Sequence, residues 1–340
     1  MYDNIIMKHF TFIIALCFVL FIQCTGSPQT TGTGNQSYIV PSNTNFPVSA
    51  FEEVWAYVVA GREAALTPGL PLTDIGYFGA EIDTYGKLTD VPRRSNLSFN
   101  GRVHLVVSCN GRALSYFVLR PGSSERRELI ADLLAETRNY DGLQINFENI
   151  PARAGDSYLS FLRELRAGLP QDKMFTVALV ARTRRIADDV YDYERILPIV
   201  DRILVMAYDE HWSGSRPGSV ASMDWCRRVA EYSFRTIGRD KLIMGIPFYG
   251  RAWGDYGPSR ALVYSTTERI INENNAQIRY EGGIPTFEYN RNVTVRVFFE
   301  DAYSLSSRMQ MYRAMNVRAV GFWRLGQETP AVWNYLRLEQ

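Results

Sequence analysis

The chain has 340 residues, of which 46% are hydrophobic and 21% are charged, and its formal net charge at pH 7 is +1. These values are typical of a globular protein with a sizeable core, built as one large domain or two average ones. No basic run exceeds two consecutive arginines, which argues against a nucleic-acid partner.

The first residues have the pattern of an export signal. A basic start precedes an apolar run over residues 10–22, which is short for a membrane span. The stretch "FIQC" ends at Cys24 and resembles the lipobox of bacterial lipoproteins, although Gln23 stands where a small residue is usual. We therefore expect a lipoprotein-type signal peptide over 1–23, lipidation of Cys24 and a flexible Gly/Ser/Thr/Gln-rich tether over 24–48. The protein would then be exported and lipid-anchored in a bacterial cell envelope; plain secretion and an uncleaved anchor are the alternatives.

From about residue 49 to 340, short β-rich runs alternate with amphipathic stretches such as "SERRELIADLLAETRNY" and "WCRRVAEYSFRTI". Alternating strands and helices predict a parallel sheet, and eight such units predict an α/β (β/α)8 TIM barrel. A doubly wound open sheet is the alternative, but no Gly-rich phosphate turn follows the first strand. The eight predicted strands are Val54 to Val59, Asp74 to Phe78, Val103 to Ser108, Leu143 to Phe147, Phe175 to Val180, Ile203 to Ala207, Leu242 to Ile246 and Ala319 to Trp323.

The link that follows the seventh predicted strand is too long for a single helix. It mixes helical and strand-like patterns, so we expect a small α+β insertion over about 254–300.

Beyond the leader, the cysteines are Cys109 and Cys226, without motif spacing, and we expect two buried thiols. No zinc pattern occurs, and the sequence predicts no metal, no cofactor and no obligate protein partner.

The stretch "YDGLQINFENI" contains the first chemical signal. Side chains alternate between the faces of a strand, so Gln144, Asn146 and Glu148 share one side of a run that is otherwise apolar. In a barrel this row points inward and rises toward the carboxyl ends of the strands, where the active sites of this fold lie. Burial raises the pKa of a carboxylic acid, so Glu148 is a candidate proton donor. A polar layer that merely plugs the barrel is the alternative.

This stretch resembles the D-G-x-x-x-D-x-E signature of glycoside hydrolase family 18, the chitinase-type barrel. Three further stretches match in order: "VMAYDEHW" on the sixth strand, "GIPFYGRAW" on the seventh and "GFWRLG" on the eighth. The likeness extends over about residues 51 to 338. It looks closest to the bacterial branch of spore-cortex and cell-wall N-acetylglucosaminidases.

The resemblance implies retaining hydrolysis of β-1,4 bonds in N-acetylglucosamine glycans, peptidoglycan or chitin-like, in which the substrate's own acetamide oxygen attacks the anomeric carbon. Glu148 would be the acid and then the base. Tyr208 would hold the acetamide, and Trp323 would form the floor under the sugar. The remaining residues expected to bind substrate are Gln144, Asp209, Tyr57, Met206, Tyr249 and Arg251.

One residue departs from the family pattern, because Asn146 stands where active relatives carry Asp. An amide can still accept a hydrogen bond from the acetamide N–H, but it brings no negative charge to balance the oxazolinium intermediate. The alternative is therefore a chitinase-like lectin that binds amino-sugar glycans with weak or no cleavage. A Ser/His hydrolase is disfavoured, because no G-x-S-x-G motif occurs.

Overall fold

The structure is a computed structural model that describes residues 45–255, 259–290 and 292–339. The predicted signal peptide, the predicted lipidation residue Cys24 and the tether up to residue 44 lie outside the described residues.

Eight parallel strands form a closed barrel. Each strand pairs with the next, and the first strand pairs with both the second and the eighth, which closes the ring. The predicted barrel is confirmed, all eight strands lie where the sequence predicted them, and the open doubly wound alternative is wrong. In chain order the barrel strands are Glu53–Val59, Asp74–Ile82, Arg102–Cys109, Gly142–Phe147, Met174–Val180, Arg202–Met206, Leu242–Pro247 and Ala319–Trp323.

Helices surround the barrel, but they do not follow every strand. The amphipathic stretches of the sequence form the helices Ser124–Thr137, Gly155–Gly168 and Met223–Ile237, whose apolar faces pack against the barrel. The links after the first two strands, described throughout, contain no α-helix, only the short 3-10 turns Glu63–Ala65 and Arg94–Asn96 and the two-residue strand Leu88–Thr89. Prolines 68, 71 and 92 interrupt these links, and proline lacks the backbone N–H that a helix needs. The helices are α1 Arg112–Val118, α2 Ser124–Thr137, α3 Gly155–Gly168, α4 Tyr193–Ile196, α5 Met223–Ile237, α6 Tyr264–Asn274 and α7 Ala302–Ala314.

Three of the longer helices begin at side-chain caps. Ser123 accepts a hydrogen bond from a backbone N–H of α2, and Ser222 does the same for α5. Asp301 and Ser304 form a reciprocal capping box at the start of α7. These caps satisfy backbone donors that the first turn leaves unpaired, which fixes where each helix starts.

The insertion after the seventh strand is an antiparallel sheet with one helix. Its five strands and α6 agree with the predicted α+β insertion. A core of its own, formed by Leu262, Phe287, Val297 and Phe299, packs between this sheet and α6. In spatial order the strands are Arg260–Leu262, Gly250–Gly254, Thr294–Phe298, Ile284–Asn290 and Arg279–Glu281. Outside both sheets, Ser49–Phe51 pairs in parallel with Leu336–Leu338. Within the barrel sheet, Leu88–Thr89 pairs antiparallel with the end of the second barrel strand.

Packed side chains close the amino-terminal end of the barrel interior. The rings of Trp55 and His104 stack with centroids 4.2 Å apart, and both side chains are fully buried. His104 lies 2.7 Å from Asp74, which also accepts two hydrogen bonds from Arg102. Although burial raises the pKa of Asp74, the hydrogen bonds from His104 and Arg102 outweigh it and lower the pKa below its ordinary value. Ligand space in the barrel is thereby confined to the opposite end.

Cys109 and Cys226 are both buried and carry free thiols. Among the described residues, no helix combines the length and apolar character needed to cross a bilayer.

Candidate active site

A cavity of about 500 Å³ lies at the carboxyl ends of the barrel strands. Nine of the residues predicted for catalysis or substrate binding line it, and Arg251 alone does not. Because these residues come from five different strands and the links that follow them, only closure of the barrel brings them together. The lining residues are Tyr57, Phe78, Gln144, Asn146, Glu148, Ala178, Val180, Ala181, Met206, Tyr208, Asp209, Trp212, Trp225, Tyr249 and Trp323.

Gln144 forms the deepest polar contact of the cavity. Its side-chain oxygen accepts a hydrogen bond of 2.5 Å from the Tyr57 hydroxyl, and its nitrogen donates one of 3.0 Å to Thr176. Gly76 on the second strand leaves the space that the Tyr57 ring fills, because a Cβ there would lie 2.5 Å from the ring. Gln144 and Tyr57 are both buried, so they support the floor of the site and present little polar surface to solvent.

Asn146 presents an unused acceptor to the site. Its side chain is only 8% exposed, and its nitrogen donates to Glu148 at 3.5 Å. Its carbonyl oxygen is buried and has no hydrogen-bond partner among the described residues. The hydroxyl of Ser108, at the paired position of the third strand, also lacks one. Buried polar atoms are normally satisfied, so this amide oxygen is suited to accept a hydrogen bond from a bound ligand.

Glu148 follows the last residue of the fourth strand and is half-buried at the cavity wall. Burial raises the pKa of its carboxyl group, the Asn146 hydrogen bond lowers it, and the negative charge of Asp209 raises it further, so the net direction is upward. The next residue, Asn149, has a positive φ of 59°, a conformation that Asn tolerates better than most residues. The chain therefore turns away directly after the acid, and Glu148 remains at the rim as a group whose protonated form burial favours.

Tyr208 follows the sixth strand and lies against the same cavity as Glu148. Burial raises the pKa of its hydroxyl well above the ordinary value, and the nearby Tyr57, Glu148 and Asp209 raise it further. This phenol therefore stays protonated. It makes no hydrogen bond to another described residue, so it can donate to a ligand. Gly245 on the seventh strand gives the ring its space, since a Cβ there would lie 3.0 Å from it.

Two residues that follow the seventh strand donate hydrogen bonds to Asp209. Its Oδ1 accepts a hydrogen bond of 2.6 Å from the Tyr249 hydroxyl and one of 3.1 Å from Arg251. The guanidinium of Arg251 also lies 5.9 Å from the centre of the Tyr249 ring. Arg251 thus reaches the site through Asp209, which it orients, and not as part of the cavity wall.

Aromatic rings form much of the remaining wall, together with the side chains of Ala178, Val180, Ala181 and Met206. Trp323 ends the eighth strand and packs against Tyr57 and Phe78, with ring centroids 5.3 and 5.1 Å apart. The peptide bond after Trp323 is cis. At the other side of the cavity, Trp212 is 54% exposed and Trp225 is half-buried. Ring faces suit the apolar faces of sugars, so these walls fit a saccharide.

The sequence did not single out three of these aromatic wall residues, namely Phe78, Trp212 and Trp225. Phe78 shares a strand face with Asp74, so the period of two in the second strand could have found it. Trp225 lies in the first turn of α5, and no pattern in the sequence shows that this turn reaches the cavity. In the part of the chain that the structure describes, no group of three or more His, Cys, Asp and Glu side chains could hold a metal ion.

The fold and the site together define a TIM-barrel protein whose cavity is walled largely by aromatic rings and contains a half-buried carboxyl group of raised pKa. The family model for glycosyl hydrolases family 18 matches residues 81–328, and the chain therefore belongs to this family. Family membership confirms the predicted resemblance and supports a hydrolase.

Two curated relatives from Bacillus subtilis show how far the similarity extends. The glycosylase YdhD is 34% identical over 220 residues, which cover 59% of this chain and 50% of that protein. The cortical fragment-lytic enzyme is 27% identical over 296 residues, which cover 80% of this chain and 69% of that enzyme. The chain thus spans about half the length of the first relative and about two thirds of the second.

Two solved structures share the fold. The spore cortex-lytic enzyme SleL of Bacillus cereus aligns with a TM-score of 0.75 at 22% identity, covering 86% of this chain and 76% of that one. A chitinase from Chromobacterium violaceum aligns with a TM-score of 0.74 at 23% identity, covering 84% of this chain and 97% of that one.

Proposed function

We propose that this chain is a retaining glycosidase that hydrolyses β-1,4 bonds in N-acetylglucosamine-containing glycans, with the substrate's acetamide oxygen as the nucleophile. The observation that carries the proposal is the half-buried Glu148, whose pKa is raised, facing the same cavity as the unpaired Asn146 oxygen and the Tyr208 hydroxyl.

In the first step, protonated Glu148 gives its proton to the glycosidic oxygen while the acetamide oxygen attacks the anomeric carbon. The bond between that carbon and the leaving oxygen breaks, and an oxazolinium ring forms. Tyr208 donates its hydroxyl to the acetamide oxygen and holds it beneath the carbon. In the second step, ionised Glu148 takes a proton from water while the water oxygen bonds to the anomeric carbon. The bond from that carbon to the acetamide oxygen breaks, which opens the ring and restores the starting configuration.

Asn146 limits the rate of this chemistry in our proposal. Its carbonyl oxygen accepts the acetamide N–H, but it is neutral where a carboxylate would balance the positive ring. The lost charge costs about 2 to 4 kcal/mol of transition-state stabilisation, which is about 30- to 1000-fold in rate. The alternative of a lectin with weak or no cleavage rests on this same residue.

Turnover of a fluorogenic N-acetylglucosamine oligomer separates the two functions. We expect slow release by the wild type, none above background by Glu148→Gln, and wild-type release by the control Asp172→Asn, which changes an exposed carboxylate in the same way. Equal background release by wild type and Glu148→Gln, with unchanged binding of the oligomer by both, would establish the lectin instead.

The names of the relatives support peptidoglycan as the natural glycan, because cortical fragment-lytic and spore cortex-lytic enzymes act on a cell-wall layer. Chitin is the alternative, supported by the chitinase neighbour. A cell-wall substrate requires export, which agrees with the leader pattern over 1–23.

We further propose that Cys24 is lipidated and anchors the protein to the cell envelope. Changing Cys24→Ala should then move the protein from the detergent phase to the aqueous phase in phase partitioning of expressing cells. Cys17→Ala is the matched control within the leader and should leave partitioning unchanged. Detergent-phase recovery of the Cys24→Ala variant would instead indicate that the apolar leader is an uncleaved anchor.

A further inference from the structure

A second cleft lies at the same end of the barrel as the active-site cavity, after the carboxyl ends of the third and fourth strands. Its volume is about 620 Å³, and it is formed by the segments that follow the third and fourth barrel strands. We call it the basic cleft, because two of its six lining residues are arginines and none is acidic. The lining residues are Arg112, Ala113, Tyr116, Pro151, Ala152 and Arg153.

The topology puts this cleft next to the proton donor. The third and fourth strands are paired up to their ends, where Cys109 pairs with Phe147. Pro151 follows Glu148 by only three residues, so their Cα atoms can be at most about 11 Å apart. A glycan of several sugars that lies across Glu148 extends away from the acid in both directions. In one of these directions the glycan can reach the basic cleft.

The two arginines of the cleft are available to a ligand. Arg112 and Arg153 are exposed, and neither forms an ion pair with a carboxylate in the described ranges. The guanidinium of Arg153 lies over the ring of Tyr116 at 4.2 Å, and that ring is itself 42% exposed. Most arginine side chains that make polar contacts among the described residues form an ion pair with Asp or Glu, as Arg182 does with Asp189. Stacking on a ring orders a guanidinium while leaving its N–H donors open, and those donors match a carboxylate.

We propose that the basic cleft binds a carboxylate on the amino sugar next to the scissile bond, so that the chain acts on acidic amino-sugar glycans in preference to neutral ones. The lactyl ether of muramic acid has this chemistry, and a polymer of N-acetylglucosamine does not. Arg112 and Arg153 bind the carboxylate, and Tyr116 orders Arg153 and offers its ring to the sugar. The proposal rests on the proposed function, since it names the substrate class of the same site.

The test compares two oligosaccharides that differ in the charge of the lactyl group. One alternates N-acetylglucosamine with N-acetylmuramic acid, and the other is the same compound with each lactyl carboxylate converted to its methyl ester. The wild type should show a kcat/KM about tenfold higher on the acid, the size expected for a charge-assisted hydrogen bond. In the double variant Arg112→Gln/Arg153→Gln this ratio should fall close to one. The matched control Arg138→Gln/Arg337→Gln removes the same charge at the opposite end of the barrel and should keep the wild-type ratio.

A wild-type ratio near one, or a ratio that the cleft variant keeps, would overturn the proposal. A second arm separates this failure from failure of the proposed function. Binding of the same two compounds to Glu148→Gln is measured by calorimetry, which needs no turnover. Tighter binding of the acid that depends on Arg112 and Arg153 supports the cleft even if no compound is cleaved, and equal binding of acid and ester counts against it.

Discussion

At the residue scale, the site keeps the glutamic acid of the family signature as Glu148 and has the neutral Asn146 where that signature has Asp. The neutral Asn146 keeps the geometry of an acceptor, because its nitrogen faces Glu148 and its oxygen is left unpaired. Family membership alone does not reveal how much rate this substitution removes. The loss of rate depends on one negative charge at position 146 in a desolvated site, and mutation can restore that charge.

Restoring the carboxylate should accelerate cleavage. Asn146→Asp adds the charge that the oxazolinium lacks, so we expect kcat on a fluorogenic N-acetylglucosamine oligomer to rise by about 30- to 1000-fold. A new negative charge beside Glu148 also raises the pKa of the acid, so the alkaline limb of the pH-rate profile should move to higher pH. A kcat at or below the wild-type value would contradict the role assigned to this position.

The pH dependence of the wild type reports the proton on Glu148. The donor is active only when protonated, so kcat/KM should fall as the pH rises through the raised pKa of Glu148. The charge of Asp209 contributes to that rise, so Asp209→Asn should move the alkaline limb to lower pH, whatever it does to the maximum rate. The exposed Asp172→Asn serves as control, and a limb that stays in place in Asp209→Asn would show that another group controls it.

At the element scale, the period of two along the fourth strand predicted that Gln144, Asn146 and Glu148 face the barrel interior, and all three line the cavity. The strands were predictable because each is a short β-rich run with turn residues at both ends. The hydrogen bond between Tyr57 and Gln144 was not predictable from the sequence, because these residues are 87 positions apart and meet only when the barrel closes. The same holds for Arg251, whose contact with Asp209 depends on how the insertion begins.

Gly76 on the second strand should be needed for the packing of the Tyr57 ring at the floor of the site. Gly76→Ala places a Cβ 2.5 Å from the Tyr57 ring, so the ring must move, and we expect a loss of about 1 to 3 kcal/mol in the free energy of unfolding. Gly155→Ala is the matched control, because Gly155 has helical φ and ψ and a Cβ there meets nothing closer than 3.8 Å. Chemical denaturation of both variants checks the prediction, and equal stability would contradict the packing described for Tyr57.

At the scale of the whole molecule, a buried ion pair joins the end of the insertion to the barrel's outer helices. Glu300 follows the last insertion strand and accepts two hydrogen bonds of 2.9 Å from Arg308 on α7. Arg308 also donates at 2.6 Å to the backbone oxygen of Ala221, just before α5. Both charged side chains are buried, so each depends on the other for its charge to be stabilised.

Removing one member of this pair should destabilise the protein strongly. Arg308→Met leaves Glu300 buried without its partner, at a cost of about 3 to 5 kcal/mol in the free energy of unfolding. Arg269→Met breaks an exposed pair with Glu273 on α6 and should cost less than about 1 kcal/mol. Urea unfolding measures both, and similar losses in the two variants would show that the buried pair does not tie these segments together.

The central claim is that the substrate's acetamide performs the displacement while Glu148 moves the proton. Proton NMR of the first products from an N-acetylglucosamine oligomer, recorded before the anomers equilibrate, tests it most directly. We predict the β anomer, and no turnover of an otherwise identical glucose oligomer that lacks the acetamide. Initial formation of the α anomer, or equal cleavage of the two oligomers, would contradict the account.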